Sequence, residues 1–147
     1  MIEVDKKIIE FINENKVVTI CFCNEKNEPY CINCFYAFKD EEIVLIFKSS
    51  KGTTHDSFII KGNKVSGTIL ANQIDLTKVK GIQFSGVIMD EKEIKEKNLN
   101  TLYLKKYPFS LAMSGYMWGV KLSFIKYTDN SLGFGKKIIW ENNTTLN

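Results

Sequence analysis

The stretch Val17-Val18-Thr19-Ile20-Cys21-Phe22-Cys23, followed after a polar turn by Tyr30-Cys31-Ile32-Asn33-Cys34-Phe35-Tyr36-Ala37-Phe38, decides the fold class of this chain. Both runs are built from β-branched and aromatic residues, and the Asn24 to Glu28 segment between them has the composition of a hairpin turn. After Lys39-Asp40-Glu41-Glu42 comes Ile43-Val44-Leu45-Ile46-Phe47-Lys48, apolar on both faces, which reads as a buried central strand. The three runs form an antiparallel meander.

Upstream, Val4, Ile8, Ile9, Phe11 and Ile12 follow helical spacing, and Asp5 stands where an N-cap belongs. Downstream, Ser49-Ser50-Lys51-Gly52-Thr53-Thr54-His55 leads into an expected short helix over Asp56 to Lys61, with Gly62 to end it. Val65 to Leu70 and Ile82 to Ile88 read as strands, joined by a polar connection around Asp75 to Lys80. Glu91 to Lys106 reads as a single helix with Ile94, Leu99, Leu102 and Tyr103 inward, and Pro108 ends it or opens the next turn. Gly119 to Tyr127 and Lys137 to Trp140 are the last strands, with Gly133 and Gly135 between them and a polar tail from Glu141. The expected architecture is a mainly β, mostly antiparallel barrel with peripheral α-helices, one domain over residues 1–147.

Composition narrows the function classes. The chain has 147 residues with 44% hydrophobic, 25% charged and 12% aromatic content, which suits one globular domain. All 20 basic residues are lysines, set among 17 acids for a net charge of +3, so the surface is a mixed solvated one and no nucleic-acid footprint. Any anion must be gripped without a bidentate guanidinium. No apolar run approaches the ~18 residues of a membrane span, and the first residues do not form a signal peptide. The four cysteines are therefore expected as thiols in a reducing cytoplasm.

Three chemistries are turned down on the spacing. Cys21-x-Cys23 and Cys31-x2-Cys34 flank a hairpin, but strand alternation puts Cys31 and Cys34 on opposite faces, so four sulfurs do not converge on zinc and no metal site is expected. Lys51-Gly52-Thr53-Thr54 lacks the residue order of a P-loop, and Gly133-x-Gly135 has Ile138 where a dinucleotide fingerprint needs glycine. What survives is the segment from Ser49 to His55. Its hydroxyls, lysine and imidazole at the start of a helix suit a phosphate cradle, and equally suit plain N-capping.

The order of parts resembles the flavin-binding split barrels related to pyridoxamine 5'-phosphate oxidase, and within them the YhbP-like (UPF0306) proteins. The residues that carry the resemblance are Val17-Val18-Thr19, Cys31-x-Asn33-x-Phe35-Tyr36-x-Phe38, Thr53-x-His55, Gly81-x-Gln83-Phe84-x-Gly86, and the run from Thr128 to Lys137 with Ile139-Trp140 after it. The resemblance implies a six-stranded antiparallel split β-barrel with flanking helices. It also implies a homodimer with flavin mononucleotide (FMN) in each of two interface clefts. On that pattern Asn33, Cys34, Phe35 and Tyr36 lie along the isoalloxazine edge, offering backbone groups. Phe47, Lys48 and Ser49 meet the ring and ribityl chain. Ser50, Lys51, Thr53, Thr54 and His55 surround the phosphate, and Gln83 supplies a polar group on the flavin side. Lys136 or Lys137 stands in for a partner-subunit arginine, or is a solvated turn.

The chain departs from the oxidase in lacking the arginine of its Ser-Arg-Lys stretch and its C-terminal Arg-x-His. Oxidation of the vitamin phosphate is therefore not carried over. The implied function is a flavin-dependent oxidoreductase of unknown substrate, with Tyr36, Phe47 and Trp118 or Trp140 walling the cleft or serving as core aromatics. The alternatives are a non-catalytic dimer that binds or senses flavin or another cofactor, haem on His55 included, and a barrel that holds no flavin. No nucleic acid or membrane partner is implied.

Overall fold

An opening helix, α1 (Lys6–Glu14), starts where Asp5 accepts a hydrogen bond from the Lys7 backbone N–H at 2.8 Å. Its apolar stripe of Ile8, Phe11 and Ile12 is buried. The structure is a computed structural model that describes residues 3–50, 52–60, 62–133 and 135–143, and within these not the side chains of His55, Asp56 and Leu132. Strands β1 (Val17–Cys23), β2 (Pro29–Lys39) and β3 (Val44–Ser49) form the expected antiparallel meander. Strands β4 (Lys64–Leu70), β5 (Lys80–Met89), β6 (Tyr116–Asp129) and β7 (Lys137–Glu141) complete the sheet.

The strands neighbour one another in the order β3-β2-β1-β4-β5-β6, and β3 pairs with β6 to close a six-stranded antiparallel barrel. Strand β7 is an addition on the outer side of β6. Alternation does the sorting. In β1 the buried residues are Val18, Ile20 and Phe22, while Val17, Thr19, Cys21 and Cys23 face outward. Strand β4 puts Gly67 inward, where the Phe84 ring and the Thr19 carbonyl fill the space a Cβ would need. The interior joins the strand residues to α1, which closes one end: Phe11 packs on Tyr127 at 5.1 Å, and Tyr36 Oη donates to the Ile12 carbonyl at 2.6 Å.

A second core lies on the outside of the barrel. Ala37, Val44, Ile46 and Met117 leave β2, β3 and β6 outward and are covered by Ile94, Leu99, Tyr103 and Tyr107. Here the expected helix over Glu91 to Lys106 is two helices, α2 (Glu91–Glu96) and α3 (Asn100–Lys106). The break is a left-handed cap: Asn98 has φ 55°, its N–H bonds to the Lys95 carbonyl, and the Leu99 N–H reaches the Ile94 carbonyl at 2.9 Å. Ile94 and Leu99, the pair that meets across such a cap, both sit in this outer core. Pro108 then opens a 3-10 turn over Pro108–Ala112.

Two other expectations are corrected. The helix expected from Asp56 to Lys61 is a single 3-10 turn at Thr54–Ser57, and Lys61 lies outside the described residues. The chain leaves the turn because Phe58 stacks on Tyr30 at 5.3 Å and Ile59 is buried, which draws consecutive side chains toward the barrel. The cysteines are not all thiols: Cys21 and Cys31, directly opposite one another on β1 and β2, form a disulfide, while Cys23 and Cys34 are free. The hairpin register brings the two sulfurs together, and alternation alone did not reveal that register. Among the described residues no helix is long and apolar enough to cross a membrane.

Candidate functional site

Because α2 and α3 cover only the part of the barrel around β2, β3 and β6, the outer face from β2 through β1 and β4 to β5 is left bare. A single cross-strand row runs across it. Asn33 on β2 pairs with Thr19 on β1, Thr19 with Thr68 on β4, Thr68 with Gln83 on β5, and Gln83 with Lys126 on β6. At roughly 4.8 Å per strand this lays five polar side chains along nearly 20 Å of sheet. Thr19 Oγ1 donates to Asn33 Oδ1 at 2.6 Å and so fixes the amide, turning Nδ2 away from Thr19. The neighbouring row is apolar: Phe35 faces Val17, 46% and 44% exposed, with Leu70 next in line at 58%.

The segment expected to cradle a phosphate follows directly on β3. Tyr36 pairs with Phe47 at the end of the β2–β3 ladder, and beyond it Lys48 and Ser49 pair with Met117 and Tyr116 of β6. Gly52 takes φ 72°, a left-handed turn that suits glycine, and Thr53 Oγ1 donates to the Ser50 carbonyl at 3.0 Å. Thr54 is exposed at the first position of the 3-10 turn. Lys51 and the His55 side chain lie outside the described residues.

The other expected site residues divide by strand parity. Asn33 and Phe35 face outward, and Gln83 joins them on the row. Cys34, Tyr36, Phe47 and Ser49 point into the barrel, so toward the outer face they offer backbone only. Burial raises the Cys34 thiol pKa to about 12 and raises the Tyr36 hydroxyl well above its ordinary range, with Tyr107 adding to the latter. Lys48 faces outward but is engaged: its Nζ donates to the Ser110 carbonyl at 2.6 Å and to the Met113 carbonyl, fastening the 3-10 turn to β3. Lys136 is exposed at the far side of the sheet, lining a hollow of about 240 Å³ with Lys7, Tyr127, Asp129, Lys137 and Ile138. Within one chain it is not brought to the Asn33 row.

Two features of the site lie outside the expected cofactor-binding residues. Thr19, Thr68 and Lys126 enter it because of strand order, which periodicity does not encode. Trp118 lies inward beside Phe47, and its Nε1 is buried with no acceptor among the described residues. A cavity of about 540 Å³ opens between the β1–β2 turn and the Ser57–Asn63 segment, but Glu25 and Glu28 on its wall oppose an anion there. Among the described residues no group of three or more His, Cys, Asp or Glu side chains is placed to hold a metal ion.

Comparison with known proteins agrees with this geometry at the level of fold. A UPF0306 protein of Photorhabdus laumondii is 34% identical over 134 residues, spanning 91% of this chain and 93% of its own. No family model matches the chain. Among solved structures, a heme-binding protein from Mycobacterium smegmatis superposes with a TM-score of 0.72 at 11% identity, covering 89% of this chain and 55% of that one. An FAD-binding protein from Mesorhizobium loti superposes with a TM-score of 0.61 at 13% identity, covering 86% and 95%. Likeness at these identities establishes the split-barrel fold.

Proposed function

This chain belongs to the UPF0306 family, and on that premise we propose that it is a cofactor-binding split barrel that takes FMN on its bare outer face and works as a homodimer. The observation that carries the reading is the polar row Asn33–Thr19–Thr68–Gln83–Lys126, bordered by exposed apolar Phe35 and Val17. The residues fit the group in kind. Asn33 Nδ2, the Gln83 amide and Lys126 offer donors to the polar edge of a flat ring, and Phe35 offers a hydrophobic flank. The hydroxyls of Ser50 and Thr54 would hold the phosphate. When bound, the flavin supplies hydride or single-electron transfer, which leaves the protein to orient the ring and exclude water. The Phe35 row, together with exposed Phe109, Leu111 and Met113, supplies the apolar border a second copy covers, and Lys136 reaches a cofactor only from that copy.

An oxidoreductase is the reading of choice because a flavin needs no acid–base pair from the protein. Neighbours that bind FAD or heme support a cofactor site on this fold, and His55 keeps haem as the second reading. The deciding measurement is an absorbance spectrum of the purified chain before and after incubation with FMN and desalting. Retained flavin bands near one per chain support the proposal; bleaching by a reduced nicotinamide then separates enzyme from carrier. A Soret band instead of flavin bands turns the reading to haem, and a flat spectrum after both additions sinks it.

A further inference from the structure

The Cys21–Cys31 disulfide joins two residues that face each other across β1 and β2, with Cα atoms 4.2 Å apart, the spacing of a pair without direct backbone hydrogen bonds. It does not lie in the core. Cys31 is exposed and Cys21 half-buried, on the outer face away from the interior cluster. Nor is it placed as a staple. It closes a separation of only 10 residues, where a crosslink gains least, and it ties two strands already in register over all seven residues of β1. A third cysteine, Cys23, is free and exposed two residues along the same face. Ser66 of β4 is the residue paired with Cys21 on the same outer face.

We propose that Cys21 and Cys31 form a redox-active thiol–disulfide centre whose substrates are dithiols and disulfides. The inference goes beyond the cofactor reading and does not depend on it. A substrate thiolate attacks Sγ of Cys31, the more exposed sulfur; a new S–S bond forms to the substrate, the Cys21–Cys31 bond breaks, and its electron pair leaves on Cys21. The substrate's second thiolate then attacks its own bridged sulfur and expels Cys31 as thiolate. The substrate is oxidised to its disulfide, the pair is reduced to two thiols, and the two substrate protons end on Cys21 and Cys31. The reverse sequence reduces a substrate disulfide. The centre sits four residues along the strands, about 13 Å, from the Phe35–Val17 row, so covering that row by a second copy leaves the sulfurs open.

The test uses the full chain carrying Cys23→Ser and Cys34→Ser, so that alkylation reads the pair alone. The chain is equilibrated anaerobically in mixtures of reduced glutathione and glutathione disulfide, quenched with acid, alkylated and weighed. The expected result is a single two-electron transition inside the series, with the ratio of reduced to oxidised form changing tenfold for each tenfold change in the squared concentration of reduced glutathione over that of glutathione disulfide. The second readout is oxidation of a dithiol peptide by glutathione disulfide, which the chain should accelerate and which Cys21→Ser and Cys31→Ser should each lower at least tenfold while the melting curve holds. A pair that stays bridged across the series is a staple, and one that stays reduced does not bridge; either overturns the proposal. So does peptide oxidation at the uncatalysed rate. Flavin content enters neither readout, so failure here is distinguishable from failure of the FMN reading.

Discussion

Tyr36 is held from both ends. Its hydroxyl donates into the helix α1 carbonyl at Ile12, while its own carbonyl accepts from Tyr107 Oη at 2.7 Å and from Lys106 Nζ at 3.1 Å. Burial raises the pKa of Tyr103 and Tyr107 to about 12, and it raises Tyr36 and Tyr127 further. A raised phenol keeps its proton in the folded state after the unfolded chain has lost it. The corresponding stability is therefore complete below pH 10 and drains away as pH climbs toward the folded values, at most roughly 2–3 kcal/mol each for Tyr103 and Tyr107. Urea unfolding at pH 8, 10 and 11 should show a falling midpoint whose slope is reduced in Tyr103→Phe; a flat midpoint would rule the effect out. Asp129 has the opposite sign. Burial works against its charge, but the Ser131 amide at 2.9 Å, the Ser131 hydroxyl, Tyr127 Oη at 3.0 Å and nearby Lys80 hold its pKa below the ordinary value. Asp129→Ala should cost about 1–3 kcal/mol at pH 7, because it leaves Tyr127 and Ser131 without their acceptor. The cost should shrink as pH falls through the carboxylate range, and urea unfolding at pH 7 and pH 4 measures both.

Elements show where the sequence was readable. β1 emerges with its expected bounds and the opening helix begins at its expected cap, because alternation and the Asp5 cap are local signals. The α2–α3 break was masked: Asn98 is a residue that accepts the left-handed conformation of a helix end, but Ile94, Leu99 and Tyr103 continue a helical stripe across it. It is the demand of the Ala37–Ile46 patch for cover that selects the broken form. The site was legible in half. Parity sends Asn33 and Phe35 outward and Tyr36 and Phe47 inward, but Thr68 and Gln83 join Asn33 only through the neighbour order β2-β1-β4-β5, which is a property of barrel closure. The break makes its own prediction. Asn98→Gly should be neutral or stabilising by a few tenths of a kcal/mol, whereas Asn98→Val should destabilise by about 1–2 kcal/mol, since a β-branched residue resists φ 55°. Equal midpoints for the two variants in denaturant would show that α2 and α3 do not depend on this cap.

At the scale of the molecule, the barrel has sheltered one face more than the other. Its interior is filled by α1 and the inward strand residues, and its β3–β6 seam is roofed by α2 and α3, yet the Phe35–Val17–Leu70 row and the Phe109–Met113 turn stay exposed. Phe35 and Phe109 lie 6.4 Å apart and both approach Tyr107, so strand row and turn form one continuous apolar patch. Exposed apolar area of this kind stabilises association at ~25 cal/mol per Å² removed from water, and a charge placed within it opposes that association without disturbing the interior. Phe35 is outward and 46% exposed, with its inner edge on Tyr107, so Phe35→Asp should lower the melting temperature of the isolated fold only modestly. The same substitution should shift sedimentation from two copies to one and lower FMN retention at least tenfold, because the border of the cofactor face is then lost. Asn33→Ala separates the two effects: it should weaken FMN while the chain still sediments as a pair. If Phe35→Asp remains paired, the patch is not where the copies meet; if it separates yet keeps its flavin, the cofactor face is complete within a single chain.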